Sequence, residues 1–206
     1  MRKFALALAF GVAALSVAPA QAGPGKYNKK VAVGDKAPTF AGVPAVMKGE
    51  EASLSLSDIK EDVVILAFSA NHCPVVVAYE DRINELAASY KGKSVKFVAV
   101  CVSSGIEGDK LPGIKEYQKD KGSNYLYGYD ETQDMGRAYG ATNTPQFFVL
   151  DKTRTIRYMG ALDDSQIETK VKATYLKDAV DAVLAGKDVE VSETRPAGCG
   201  INIKKK

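Results

Sequence analysis

The sequence predicts an α/β domain in which helices flank a mixed central β-sheet. Residues 63–68 are continuously apolar and rich in β-branched side chains, as in a strand that is buried on both faces of a sheet. Apolar residues at helical spacing follow directly, and residues 95–102 predict a second buried strand. Residues 146–150 and 155–158 flank a tight turn and predict an antiparallel hairpin. Strand–helix units followed by a hairpin produce a mixed sheet covered by helices.

Residues 1–22 predict a secretory signal peptide that precedes the domain. A short basic start leads into an apolar stretch at residues 4–18, and Ala20-Gln21-Ala22 has the small-x-small pattern of a cleavage site. The apolar stretch is shorter than the roughly 20 residues that a membrane-spanning helix needs. We therefore expect export to the periplasm or the extracellular space without stable membrane insertion; an uncleaved N-terminal anchor is the alternative.

Three further segments follow the signal peptide. Residues 23–30 are rich in Gly and Lys and predict a flexible lead-in. Residues 31–188 are expected to form the folded domain, and residues 189–206 a polar C-terminal tail that carries Cys199. Within the domain, residues 52–56 alternate apolar and polar side chains and predict a short strand before the first central one.

The first long helix is predicted to begin at Pro74, because proline suits the first turn of a helix. Its apolar positions share one face as far as Tyr90, and a solvated face is predicted for Glu80, Asp81, Arg82 and Glu85. Later helices are predicted near residues 114–121, from residue 130 to Gly140, and over residues 174–185, with a short strand near residues 125–127.

The composition excludes several classes of site. The chain of 206 residues is 46% hydrophobic, and its net charge of +3 gives no reason to expect a nucleic-acid partner. One histidine and three cysteines show no spacing typical of a zinc site. No Gly-rich phosphate loop, paired carboxylates or Ser/His/Asp arrangement stands out. We therefore expect neither a metal nor a cofactor.

Cys73 lies where the first central strand gives way to the first long helix. The first turn of a helix offers unpaired N–H groups and the positive end of the peptide dipoles, and both lower the pKa of a nearby thiol. Cys73 is therefore a candidate nucleophile; the alternative is a buried small apolar residue. The neighbouring His72 either stabilises the thiolate and moves a proton or caps the helix and points to solvent.

Three segments carry a resemblance to known proteins. They are Asn71-His72-Cys73-Pro74 with Tyr79-Glu80-Asp81-Arg82, Tyr139-Gly140-Ala141-Thr142-Asn143-Thr144-Pro145, and Glu193-Thr194-Arg195-Pro196-Ala197-Gly198-Cys199-Gly200-Ile201. Their order and spacing resemble exported bacterial thioredoxin-fold proteins of the redoxin superfamily, which also contains the alkyl hydroperoxide reductases and thiol-specific antioxidant proteins. The resemblance extends over about residues 31–203. It implies a thioredoxin fold with an N-terminal redoxin-type extension.

The chain departs from both branches of that superfamily. Thioredoxins carry Cys-x-x-Cys at this junction, but Ala70 stands at the first position and only Cys73 matches. Peroxiredoxins place Thr or Ser at the first position and an arginine before the hairpin strand, where this chain has Thr144-Pro145. By resemblance Pro145 is the cis-proline of thioredoxins, and Thr144 presents backbone groups to a substrate. The ordinary dithiol cycle therefore needs a second sulfur from elsewhere.

Two other cysteines are available. Cys101 lies in the predicted second central strand, where we expect an inert core thiol. For Cys199 two interpretations stay open, a resolving partner for Cys73 within one chain or across a dimer, and a structural or unpaired thiol.

The resemblance implies an exported thiol–disulfide oxidoreductase that uses Cys73, and Cys199 is its candidate resolving thiol. One alternative is a peroxiredoxin-like thiol peroxidase that passes through a Cys73 sulfenic acid. Another is a catalytically degenerate thioredoxin-fold module that binds proteins. Expected partners are proteins that carry thiols or disulfides or a small-molecule thiol reductant, with peroxide for the peroxidase, and the oligomeric state is left open.

Overall fold

The computed structural model of the protein describes residues 24–204. Its strands are β1 (Val43–Met47), β2 (Glu50–Leu54), β3 (Val63–Phe68), β4 (Val95–Cys101), β5 (Leu126–Tyr129), β6 (Asn143–Thr144), β7 (Gln146–Leu150), β8 (Ile156–Gly160) and β9 (Cys199–Gly200). Its α-helices are α1 (Pro74–Ser89), α2 (Leu111–Lys121), α3 (Asp134–Tyr139) and α4 (Tyr175–Leu184). The predicted signal peptide lies outside the described residues.

The central sheet is mixed, as predicted. Its strand order is β2-β1-β5-β4-β3-β7-β8, with β3 parallel to β4 and antiparallel to β7. Successive side chains of β3 enter two separate cores, because strand residues alternate between the faces of a sheet. Ile65 packs on the side of α1 and α4, whereas Leu66 packs on the side of α3. This strand is therefore buried throughout and carries its last residues directly toward α1.

The N-terminal hairpin is larger than predicted. The sequence predicts only one strand over residues 52–56, whereas β1 and β2 pair as a hairpin and β1 continues the sheet beside β5. Pro44 obscured the first strand, since proline within a run argues against a strand. The turn residues Lys48 and Gly49 both have positive φ, the conformation that tight hairpins need. This hairpin supplies the expected N-terminal extension.

Two residues of the predicted solvated face of α1 are covered by other parts of the chain instead, since Glu80 is buried and Arg82 is half-buried. Glu80 is only 7% exposed and lies 3.3 Å from the Lys121 ammonium group of α2. Arg82 pairs with Asp163, and its guanidinium lies 4.3 Å from the centre of the Tyr79 ring. The helical pattern identifies the apolar face, but it does not reveal that α2 and the loop after β8 cover the flanks.

Both ends of the described chain are bonded to the domain. In the predicted flexible lead-in, the Asn28 side-chain amide donates to Tyr139 O over 2.8 Å, and the amides of Lys26 and Tyr27 donate to the Glu193 carboxylate. In the tail, Thr194 N donates to Met159 O over 3.1 Å. Among the described residues, no helix combines the length and apolar content that crossing a membrane requires.

Candidate active site

Cys73 is the residue that begins α1. The chain leaves β3 at Phe68 and turns over residues 69–72, and the Cys73 amide closes that turn by donating to Ala70 O over 3.1 Å. Cys73 O then accepts from Val77 N over 3.0 Å, and Pro74 occupies the first helical position. The Cys73 side chain is fully buried. The strand–helix junction predicted from the sequence is therefore present, with its cysteine covered by other parts of the chain.

Cys199 forms a disulfide with Cys73. The two residues are 126 positions apart in the sequence, and their Cα atoms are separated by 6.1 Å. The structure thus brings together two of the predicted site residues within one chain. A resolving role for Cys199, one of the two interpretations that the sequence leaves open, requires this proximity.

The loop that ends in Pro145 lies against the same sulfur. The Thr144–Pro145 peptide bond is cis, as the resemblance implies, and Thr144 O lies 3.1 Å from Cys73 Sγ. The Thr144 side chain is buried, so this residue faces the site with its backbone. The predicted substrate-binding residues therefore adjoin the predicted nucleophile.

The tail adds a short strand to this loop. In the antiparallel pair of β6 and β9, Thr144 is opposite Cys199 and Asn143 is opposite Gly200. The Asn143 side-chain amide donates to Gly198 O over 2.9 Å, and Ile201 N donates to Thr142 O over 2.8 Å. A Cβ atom on Gly198 would lie 2.0 Å from Thr144 O, so glycine permits the close approach. Sequence reasoning missed this pairing, because two residues carry no periodic signal.

Gln133 holds the tail beyond the disulfide. Its buried side chain donates from Nε2 to Val102 O over 2.7 Å and to Asn202 O over 2.9 Å. Its Oε1 accepts from Lys204 N over 2.9 Å. Sequence reasoning missed this role, because a single glutamine before a helix is not part of any recognisable motif.

His72 is bound to a buried carboxylate. Its ring Nδ1 lies 2.5 Å from Asp109 Oδ2, and its backbone N–H donates to Asp109 Oδ1 over 3.2 Å. Asp109 is fully buried, whereas the His72 side chain is 42% exposed. No side chain caps the start of α1, so the expected capping by His72 was wrong, whereas the exposure expected with it is present. The carboxylate fixes the orientation of the ring through Nδ1, so Nε2 is the ring nitrogen that does not contact Asp109.

Cys101 is the free cysteine of the chain. It is fully buried in β4, and burial raises the pKa of its thiol to about 12. The nearby Asp109 carboxylate raises this pKa further, while hydrogen bonding from Ser103 opposes the rise. The thiol is therefore protonated at neutral pH, as expected for a core residue.

Within residues 24–204, no three His, Cys, Asp or Glu side chains group closely enough to hold a metal ion. Two cysteines adjoin each other at the start of α1, and such a pair can perform thiol–disulfide exchange.

Comparisons with known proteins identify the family of this chain. A family model described as Redoxin matches residues 32–176. The thiol-disulfide oxidoreductase ResA of Bacillus thuringiensis (strain Al Hakam) is 25% identical over 148 residues, which cover 70% of this chain and 80% of that protein.

Solved structures show the same fold. An uncharacterized conserved protein of Geobacillus kaustophilus superposes with a TM-score of 0.77 at 31% identity, covering 84% of this chain and 93% of that one. A thiol:disulfide interchange protein of the thioredoxin family from Chlorobium tepidum TLS has a TM-score of 0.56 at 21% identity, covering 74% and 98%. At 21% identity, the similarity to the Chlorobium protein shows only that the two chains share the thioredoxin fold.

Proposed function

The chain belongs to the redoxin family, and we propose that it is a thiol–disulfide oxidoreductase whose redox pair is Cys73 and Cys199. One observation carries the proposal: the two sulfurs are bonded beside the cis-Pro145 loop, at the start of α1. Cys199 thereby replaces the cysteine that thioredoxins have where this chain has Ala70. The name of the ResA relative is consistent with this activity.

In the reductive direction, the Cys73 thiolate attacks one sulfur of a client disulfide. The attacked sulfur forms a disulfide with Cys73, the client S–S bond breaks, and the other client sulfur leaves as a thiolate. The Cys199 thiolate then attacks Cys73 Sγ, which releases the second client thiolate and forms the Cys73–Cys199 disulfide. Two electrons pass from the protein dithiol to the client, and a thiol reductant restores the dithiol. The reverse sequence oxidises a client dithiol.

Three neighbouring features assist this exchange: the first turn of α1, the backbone of Thr144 and the side chain of His72. The first turn of α1 stabilises the Cys73 thiolate through its N–H groups and dipole. Backbone groups of Thr144 beside Pro145 hold the client segment next to the sulfur. His72, oriented by Asp109, exchanges protons with the departing thiolate.

Disulfide chemistry fits an exported protein, because disulfides persist in oxidising compartments. We include in the proposal cleavage of the signal peptide at residue 22 and action in the periplasm or extracellular space. The domain boundaries at residues 31–188 and the tail at 189–206 belong to the same proposal.

The test is reduction of insulin disulfides by the full mature chain with dithiothreitol as the electron source. We expect Cys73→Ser and Cys199→Ser to abolish the chain's contribution to turnover, because each removes one sulfur of the pair. Cys199→Ser should still trap one client molecule on Cys73, as seen by mass spectrometry. Cys101→Ala is the matched control and should keep the activity. Undiminished turnover by Cys73→Ser would refute the proposal.

Hydrogen peroxide in place of insulin tests the peroxidase alternative. Peroxide consumption that is lost in Cys73→Ser would assign the chain to thiol peroxidases instead. The site lacks both the hydroxyl and the arginine of peroxiredoxins, since Ala70 and Thr144-Pro145 stand there. If neither substrate turns over, a protein-binding role remains.

A further inference from the structure

The tail is seated beside Cys73 as an extended peptide. From Cys199 to Lys204 its side chains alternate between partly buried and exposed positions, the pattern of a strand with one face on a surface. Cys199, Ile201 and Ile203 face inward and pack against the two cores of the domain. Backbone hydrogen bonds to Thr142 O and the β6 pairing fix the register.

The surface under the tail, which we call the tail groove, has a shape that matches these side chains. It is formed by Val102, Gln133, Gly136, Thr142 and Thr144. At Gly136 an added Cβ would lie 2.8 Å from Ile203 Cδ1, so the missing side chain makes room for the isoleucine. Gln133 forms hydrogen bonds with the tail backbone at Asn202 and Lys204.

We propose that client proteins insert their reactive cysteine into this same tail groove, and that the tail is both their competitor and a template for their sequence. The favoured client segment is extended and has glycine immediately before the cysteine. It carries aliphatic side chains two and four positions after the cysteine, where the tail has Ile201 and Ile203. This inference rests on the proposed thiol–disulfide exchange.

The competition follows from the hydrogen bonds of the loop. A client strand that pairs with Thr144 needs the backbone groups that β9 occupies, so the tail must leave before the client binds. The Cys199 thiolate must return to attack Cys73 Sγ, which breaks the bond between Cys73 and the client sulfur. When β9 returns, it pairs with β6 again and so displaces the client from the backbone groups of β6. Resolution of the mixed disulfide and release of the client are therefore one movement.

The specificity is tested with activated peptides on the full chain carrying Cys199→Ser. The probe is a peptide of residues 193–204 whose cysteine is disulfide-bonded to 2-thiopyridine. Attack by the Cys73 thiolate on the peptide sulfur breaks that disulfide and releases thiopyridone, which is followed by its absorbance. An Ile201→Asp peptide should react about tenfold more slowly or worse, because a carboxylate must enter an apolar position. An Ala197→Asp peptide carries the same charge at an exposed position equally far from the cysteine, and should change the rate by less than about twofold.

The competition is tested by moving the same substitutions into the chain. With the unmodified peptide as probe, Ile201→Asp in the Cys199→Ser chain should accelerate the reaction, since it weakens the resident competitor. Ala197→Asp in the same background should leave the rate near its starting value. A substitution that slows the reaction in the peptide and speeds it in the chain identifies one shared site.

Equal rates for all peptides, with rapid thiopyridone release, would refute client binding in the tail groove but would leave thiol exchange by Cys73 unaffected. If Cys73 reacts neither with any peptide nor with dithiodipyridine itself, the proposed function is refuted, and this inference with it. The peptide comparison uses a single folded protein, so it stands even if Ile201→Asp disturbs the chain.

Discussion

Cys73 and Cys101 are both fully buried, yet their surroundings give them different chemistry. Cys101 lies within β4, where burial and the nearby Asp109 carboxylate disfavour its thiolate. Cys73 begins a helix, adjoins a backbone carbonyl and is covered by a tail that is held there in part by the disulfide. Reactivity at the residue scale is therefore decided by what covers each sulfur.

We predict that Cys101 is not alkylated by iodoacetamide in the folded chain between pH 7 and 10. Its folded-state pKa of about 12 lies above that of an unfolded thiol, about 8.5, so only the unfolded chain is ionised in this range. The stability that this thiol contributes is complete below about pH 8.5 and is lost as the pH rises toward 12. Mass spectrometry of alkylated peptides, with the urea-unfolded chain as the control, makes the measurement. Rapid labelling of Cys101 in the folded chain would contradict the burial.

At the scale of elements, the site is made by a helix start, a loop and a tail strand. Each contributes one part: α1 the proposed nucleophile, the β6 loop the backbone groups, and β9 the second sulfur. Gly198, directly before β9, has a φ of 155° and passes so close to Thr144 that an added Cβ would lie 2.0 Å from the Thr144 carbonyl oxygen. A side chain there would separate the strands.

We predict that Gly198→Ala shifts the Cys73–Cys199 equilibrium toward the dithiol by about tenfold or more, since backbone strain of this kind costs about 1–3 kcal/mol. The added Cβ would meet backbone atoms of Thr144 and Pro145, which cannot rotate away as a side chain would. Equilibration in glutathione buffers followed by acid quenching measures the shift.

Gly200→Ala is the matched control for this prediction, because a Cβ at Gly200 meets nothing within 4 Å. Its equilibrium should stay close to that of the unmodified chain. Identical behaviour of the two variants would show that the β6–β9 contact does not govern the disulfide.

For the whole molecule, the tail joins parts of the domain that are distant in sequence. It bonds to the lead-in through Glu193, to β8 through Thr194, to the β6 loop through Cys199 and to Gln133 through Lys204. The disulfide closes a loop spanning 126 positions, and a crosslink of this length removes much of the freedom of the unfolded chain.

We predict that reduction of the disulfide lowers the free energy of unfolding by about 2–5 kcal/mol. Urea unfolding followed by circular dichroism, with and without a reductant, measures the difference. Cys199→Ser should unfold identically under both conditions, and Cys101→Ala should keep the dependence on reductant. A reduced chain as stable as the oxidised one would show that the tail is held without the covalent bond.

Much of the fold was predictable because its central elements carry strong periodic signals. β3, α1, β4 and β7 lie where the apolar runs and helical spacing indicated. Strand β1 was missed because it contains Pro44, and proline argues against a strand. The covered flanks of α1 were missed because the sequence pattern of one helix does not show which elements pack against it. The supporting residues Asp109 and Gln133 had no sequence signal, since their roles arise from contacts 31 or more positions away.

The sequence by itself determined an α/β domain with a cysteine at a strand–helix junction, a proline loop and no second cysteine in the motif, because these are local patterns. Only the tertiary structure decided which sulfur joins Cys73 and where the tail lies. The pairing of Cys199 with Cys73 depends on β9 meeting β6 and on Gly198 passing Thr144, and contacts between segments so far apart are fixed by packing of the whole chain.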